Sequence, residues 1–592
     1  MVELNPWAVG AVGLVLGVTY YLGSRTSRYA STTDDFLLAR RTVRSRRNAA
    51  AVSGEYLSAA SFLGVAGLVM KDGADALWYP IGFTAGFLTV MIFVAAPLRR
   101  SGAYTLPDFM EARLGSAALR RVSTTVVAVI ALVYLLPQLQ AAGFAVRTVV
   151  PQAEPWMGSL IVVGIVTLNI VAGGMRVVTL VQAFQYWVKL FALAVPAFVL
   201  CAVFLAGGGA DTAGPLGEPA PPEFTEETTV SVESDVVLRV GEPTVVHIPS
   251  ERPSGAELWL PGTDYPVAAG SELLFPAGSS VPVVGDAALD NASWLRPTGD
   301  TDSLWWTYSL LVATFAGTMG LPHVLARFYT NPDGRSARRT TLQVLLLLGL
   351  FYLFPVLLGA LSRLYVPQLL LTGNTDAAVL ELPTAMLPGV AGAVTVAVLA
   401  AGAFAAFLST SSGLLVSVAS VISTDLLWAR VRDFRFAAVA VAGTAATGAV
   451  LLPIEDLSLS VGLSFALAAS TFCPLLVLGI WWRGLTWIGA TAGMVVGGSL
   501  VLLAIVLNVV SRFDGGWAPW FVTQPALFTV PAAFATTIVI SLLTGKRVPE
   551  DVDTVMLRMH APDRLGFTRD RQALHPGRAD ERARLYSGRH RR

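Results

Sequence analysis

Residues 53–64 read Ser53-Gly54-Glu55-Tyr56-Leu57-Ser58-Ala59-Ala60-Ser61-Phe62-Leu63-Gly64, inside a stretch, 48–70, long enough to cross a bilayer. Hydrocarbon offers freed backbone groups no water, so a carboxylate, three serines and two glycines survive at that depth only against protein or a wet cavity. A helix that breaks there can turn its carbonyls onto a cation. The segment therefore points to passage of a solute or ion across a membrane.

Outward from it, the chain supports that setting. Of 592 residues 54% are hydrophobic and only 14% charged, which excludes an ordinary soluble domain. Apolar runs of about 20 residues, the length a helix needs to span a bilayer, lie near 6–23, 48–70, 77–97, 120–149, 157–173, 179–206, 304–325, 339–363, 390–424, 435–452, 457–481, 485–509 and 525–545. They are continuous, whereas barrel strands would alternate. The fold class predicted is an all-α polytopic membrane protein of about thirteen spans. No basic segment precedes the first run, so it is expected to be a retained span. Cys201 and Cys473 both fall in spans and suggest neither a disulfide framework nor a metal site.

Charge orients the spans. Arg25, Arg28, Arg40, Arg41, Arg44, Arg46 and Arg47 mark the 24–47 connection as cytoplasmic. Alternation then puts the stretches Arg99–Arg121, Arg327–Arg339 and Arg430–Arg435, with the tail after Lys546, on the same side. The expectation is N-terminus out and C-terminus in. Between 208 and 303 sixteen acids face three arginines, and the texture is that of a small β module (Thr228–Val240, Thr244–Ile248, Ser279–Val284). This acidic insert is expected outside; Asn291 opens a sequon within it. The boundaries are 1–47 (first span and basic loop), 48–207 (first repeat), 208–303 (insert), 304–509 (second repeat), 510–545 (last span) and 546–592 (disordered cytoplasmic tail).

A second span is also interrupted. Thr314 to His323 reads Thr-Phe-Ala-Gly-Thr-Met-Gly-Leu-Pro-His, with Gly317, Gly320 and Pro322 weakening the helix. It is the seventh span and the first break is in the second, the spacing expected of two five-span repeats. The ninth span carries Ala406-Phe-Leu-Ser409-Thr410-Ser411-Ser412-Gly413 and further serines to Asp425. Such density serves either close helix packing or a neutral oxygen cage for a hard monovalent cation. No Walker loop, dinucleotide fingerprint or His/Asp/Glu array at metal spacing is present. The sequence thus offers no basis for an ATP-driven pump or a membrane enzyme, and no cofactor beyond a coupling ion.

Several stretches resemble the sodium:solute symporter family, closest to its cation/acetate (monocarboxylate) permease branch. They are Gly54 to Gly64, Gly173-Gly174-Met175, Gly317 to Thr330, and Tyr104-Thr-Leu-Pro-Asp-Phe109 with Arg113. The resemblance implies a LeuT-type five-helix inverted repeat (spans 2–6 and 7–11). It also implies a Na⁺ site made of the carbonyls of Gly54 and Leu57 with Ala406, Ser409 and Thr410. Ser61 stands where sugar-transporting relatives carry a glutamine, which disfavours sugar. Ser61, Phe62, Gln138, Thr318 and Met319 are the candidate substrate lining. Glu55 is a candidate for cation or proton coupling, or for an ion pair at the helix end. His323 and Arg327 are expected to stabilise the fold. The expected function is import of a small monocarboxylate (acetate, propionate or pyruvate) with Na⁺ or H⁺ across a bacterial plasma membrane by alternating access. The alternatives are a same-fold symporter for proline, pantothenate or urea, or a membrane sensor. Nucleic acid is not an expected partner.

Overall fold

The computed structural model describes residues 5–27, 41–150, 152–207, 220–232, 235–248, 255–285, 287–297, 301–427, 431–451, 457–513 and 517–566. Most of the first basic connection (28–40), the start of the insert (208–219) and the tail from 567 lie outside these residues. In lipid a backbone can bond only to itself, so the apolar runs become helices. These are α1 (Pro6–Ser27), α2 (Ser45–Tyr56), α3 (Val65–Asp72), α4 (Trp78–Thr89), α5 (Leu106–Leu114), α6 (Ala117–Val149) and α7 (Pro155–Ala206) in the first half. The second half holds α8 (Thr301–Gly320), α9 (Pro322–Ala326), α10 (Gly334–Tyr365), α11 (Gly389–Val421), α12 (Val431–Leu451), α13 (Leu457–Trp481), α14 (Trp487–Phe513) and α15 (Ala526–Leu543). Helix α16 (Val552–His560) follows them.

Among the described residues eleven helical stretches are long and apolar enough to cross a membrane. Two of them, 60–100 and 155–206, each turn a corner at a glycine of positive φ, Gly73 (+57°) and Gly174 (+56°). Those corners divide two stretches into four, and the thirteen spans expected from the sequence result.

The second and seventh spans break as their residues demand. Helix α2 ends at Leu57 (ψ 89°), and the chain resumes through a wide turn, Ala60–Gly64, into α3. Helix α8 stops at Leu321 (ψ 112°) because proline excludes α-helical backbone from the residue before it. The packing repeats as well. Each broken span lies along the last span of its own half, α2 on α7 and α8 on α13. Each second span crosses to the other half, α4 onto α8 and α10 onto α2 and α3. Close approach explains a glycine in each half. A Cβ on Gly54 would lie 2.4 Å from the Gln182 carbonyl oxygen, and one on Gly317 would lie 2.6 Å from that of Phe465.

The insert forms two small antiparallel sheets. Strands β1 (Thr228–Ser231), β2 (Val236–Arg239), β3 (Thr244–Ile248), β4 (Gly255–Trp259), β5 (Tyr265–Val267), β6 (Glu272–Phe275) and β7 (Val283–Val284) pair in the orders β1-β6-β3-β4 and β5-β2-β7. Their apolar core runs on into Met70, Val366 and Leu369–Leu371 of the helical body. Arg363 clamps the junction, donating to Asn291 Oδ1 (2.9 Å) and to the carbonyls of Met70 and Ala288 (3.0 Å each). The sequon residue Asn291 is thus buried at an internal joint.

The first part of the tail differs from the disorder expected of 546–592. Helix α16 buries Met556 and Met559, and Asp563 beyond it pairs with Arg100 at 3.0 Å. Its apolar residues recur at helical spacing, a pattern that the surrounding charge hides.

Candidate functional site

The five residues expected to hold a cation are brought together, around a side chain that the sequence reading had passed over. Lys189 Nζ donates to the Gly54 carbonyl (2.5 Å), the Leu57 carbonyl (2.6 Å) and Ser409 Oγ (3.0 Å). The break in the second span frees those two carbonyls, and α11 brings the hydroxyl. Ser409 Oγ in turn donates to the Ala406 carbonyl (3.1 Å). Thr410 Oγ1 donates to the Glu55 carbonyl at 2.8 Å, tying α11 to α2. Gln182 Nε2 ties α7 to α11 through the Ser409 carbonyl (2.7 Å).

An ammonium has three N–H donors, and Lys189, fully buried, places all three on oxygen. A Na⁺ held by the same oxygens would need the point where Nζ lies. Two unit positive charges about 4 Å apart repel by about 4 kcal/mol at an effective dielectric of 20. With Lys189 in this position the oxygen set does not fit Na⁺.

Glu55 turns the other way. Its Oε2 accepts from Arg327 Nε at 2.5 Å, and both side chains are 1% exposed. Arg327, just past α9, also donates to Thr179 Oγ1 (2.8 Å) and to Gln182 Oε1, and its NH1 lies 2.8 Å from Met175 Sδ. The carboxylate fits because α11 has glycine opposite it: a Cβ on Gly413 would fall 2.0 Å from Glu55 Oε1. Asn48 at the start of α2 donates to the Arg327 carbonyl (3.0 Å) and to Asn331 Oδ1 (2.9 Å). The two broken spans are therefore joined to each other by charge and hydrogen bonds.

The substrate candidates divide. Gln138 Oε1 accepts from the Ala59 amide at 2.9 Å, satisfying a donor freed by the break, while its Nε2 is buried with no hydrogen-bond partner. Ser61 Oγ meets the Tyr352 hydroxyl at 3.0 Å, and Thr318 Oγ1 meets that of Tyr56 at 2.7 Å. Tyr352, Phe83, Tyr56, Phe465 and Tyr134 form one connected aromatic group. Phe62 instead packs towards Phe351 and Gly402. Met319 is buried on α8 beside Thr318, and the His323 ring stacks edgewise on Tyr134. A cavity of about 940 Å³ reaches the same break, lined by Leu63, Pro137, Gln140, Arg147, Asp376 and Glu381 among others.

The sequence profile of the sodium:solute symporter family matches residues 36–236 and 279–497. The chain belongs to that family. The unmatched gap falls within the insert of this symporter. An uncharacterized symporter of Bacillus subtilis, YwcA, is 28% identical over 523 residues, 86% of each chain. A monocarboxylic acid transporter of Corynebacterium glutamicum is 27% identical over 590 residues, 94% of each. Among solved structures, a substrate-bound, outward-open Na⁺-coupled sialic acid symporter aligns with a TM-score of 0.58 at 13% identity, over 90% of this chain and 98% of that one. That likeness carries the LeuT-type fold of the symporter and no more. With these relatives and its spans, the symporter is a multi-pass protein of the plasma membrane.

Sequence reading of the symporter missed Lys189, Gln182, Thr179 and Tyr352. A signal for the first three existed. Thr179, Gln182, Tyr186 and Lys189 recur at three- and four-residue steps, which places them on one helix face. A lysine within an apolar span marks a functional site unless shown otherwise.

Proposed function

We propose that the chain imports a small monocarboxylate such as acetate, propionate or pyruvate together with a cation by alternating access. The observation that carries this is the unpartnered Gln138 Nε2 at the break of the second span. A buried donor without a partner costs about 1–3 kcal/mol, a penalty that an arriving carboxylate oxygen removes. Around it the Ser61–Tyr352 hydroxyl pair and the aromatic group offer few polar partners. That suits a small anion with an apolar end and not a polyol. Similarity to a monocarboxylic acid transporter supports the same class.

In this reading the cavity at Leu63 and Pro137 is the outer approach, and the joint of Asn48, Arg327 and Asn331 closes the inner one. Occupancy of the centre lets the broken spans rock against the scaffold. Counterflow of labelled pyruvate in proteoliposomes tests it. Acetate and propionate should compete, and glucose and proline should not. Competition by proline, pantothenate or urea in their place would move the protein to another branch.

A further inference from the structure

We infer that Lys189 is a tethered substitute for the coupling cation: its ammonium, in place of Na⁺, bridges the broken second span to α11. The inference rests on the proposed function only in taking this cage for the coupling site.

The cage oxygens are of the kind a bound Na⁺ would need, dipolar and neutral: two carbonyls released by a helix break and one hydroxyl from the facing helix. In this chain each already has a donor, and the donor is covalently attached. It arises from α7, the helix along which α2 packs, so it reaches the carbonyls from its own half of the molecule and the hydroxyl from the other. The bridge that an ion would make only when bound is therefore built in. Gln182 and Thr410 reinforce it from either side.

The groups around Lys189 leave no place for a second cation. Glu55 of α2 is the charged group that acts on it, and Glu55 is itself paired with Arg327. Helix α11 contributes hydroxyls and carries no ionisable residue. The Tyr352 hydroxyl of α10 is held by Ser61, and Tyr20, Tyr21 and Arg25 of α1 are exposed. One carboxylate thus faces two cationic side chains, and a third positive charge would add repulsion without a counter-ion. Na⁺ is excluded by space and by charge.

Two measurements on the full chain separate this inference from the substrate reading. The first needs no substrate. The unfolding temperature of the purified protein should be the same in NaCl and in N-methylglucamine chloride, because a ligand stabilises only the state that binds it. Lys189→Ala, which releases the three oxygens, should unfold at a lower temperature and be raised specifically by Na⁺. A Na⁺-specific rise in the wild type overturns the inference. So does a folded K189A that ignores Na⁺, since the lysine would then not be what keeps the ion out.

The second is uptake of pyruvate, which is almost wholly ionised at neutral pH, into proteoliposomes under imposed Na⁺ gradients. Replacing external Na⁺ should leave the initial rate unchanged, and an inward Na⁺ gradient should not drive accumulation. Stimulation by Na⁺ of about tenfold, the effect of 1.4 kcal/mol, overturns the inference and leaves the monocarboxylate reading standing. Absence of pyruvate, acetate and propionate counterflow removes the monocarboxylate reading, and the unfolding experiment then decides on Lys189 alone.

Discussion

Glu55 of the second span and Arg327 of the seventh meet at 2.5 Å with both side chains withdrawn from solvent, so the two broken helices are joined by an ion pair. Removing one partner of a buried pair strands the other and costs about 3–5 kcal/mol. Glu55→Ala and Arg327→Ala should each lower the unfolding temperature in detergent by a comparable, large amount. Glu55→Leu with Arg327→Met should recover most of the loss, since an apolar pair strands no charge. If the double variant is as unstable as the sum of the singles, the pair is not the unit that matters.

Gly413 provides a separate handle on the same carboxylate. Its missing Cβ leaves the space that Glu55 Oε1 fills, at a distance of 2.0 Å from where a methyl would stand. Overpacking of this kind costs about 1–3 kcal/mol. Gly413→Ala should therefore displace Glu55 from Arg327. Combined with Glu55→Ala it should cost almost nothing further, because the obstruction is gone. Unfolding temperatures of the four proteins in this cycle give the coupling directly.

Gln138 allows its two roles to be separated. Its Oε1 holds the Ala59 amide and its Nε2 is the free donor proposed to meet the carboxylate. Gln138→Glu keeps an acceptor for Ala59 while turning the donor into an anion. The expected result is a folded protein whose half-saturating pyruvate concentration rises by about tenfold or more, the equivalent of one lost charge-assisted hydrogen bond. Unchanged half-saturation would place the substrate elsewhere.

The architecture was legible because lipid allows few alternatives. Thirteen apolar runs had to become helices, and Pro322 had to stop the seventh near Leu321. The break in the second span and the hydroxyl run in the ninth were legible too, and the resemblance to the symporter family implied which of their residues would meet: Gly54, Leu57, Ala406, Ser409 and Thr410. What would fill the set was not, since Lys189 lies far along the chain in a run whose apolar average hides one lysine. The same holds for Tyr352, one aromatic among several in its span until Ser61 meets it. Helix α16 escaped notice for the opposite reason: its apolar residues are diluted by charge.

Asp563 ties the segment after α16 to the helical body, pairing with Arg100 at 3.0 Å and accepting from the amides of Gly334 and Arg335. Burial pushes its carboxyl up, but the Arg100 hydrogen bond and charge, with those two amides, outweigh it and hold the carboxyl below the ordinary 3.8. A depressed carboxyl contributes stability that is present above the ordinary value and lost as pH falls through the lower, folded one. Docking of α16 should therefore be independent of pH from neutral down to mildly acid conditions and weaken only below about pH 4. Asp563→Asn should weaken it at neutral pH. A partly exposed pair is worth at most about 1 kcal/mol, so cleavage by an added protease between Gly545 and Asp551 should quicken by about fivefold or less, with transport intact. Equal cleavage of wild type and D563N at neutral pH would show that the buried methionines, and not the ion pair, hold the helix in place.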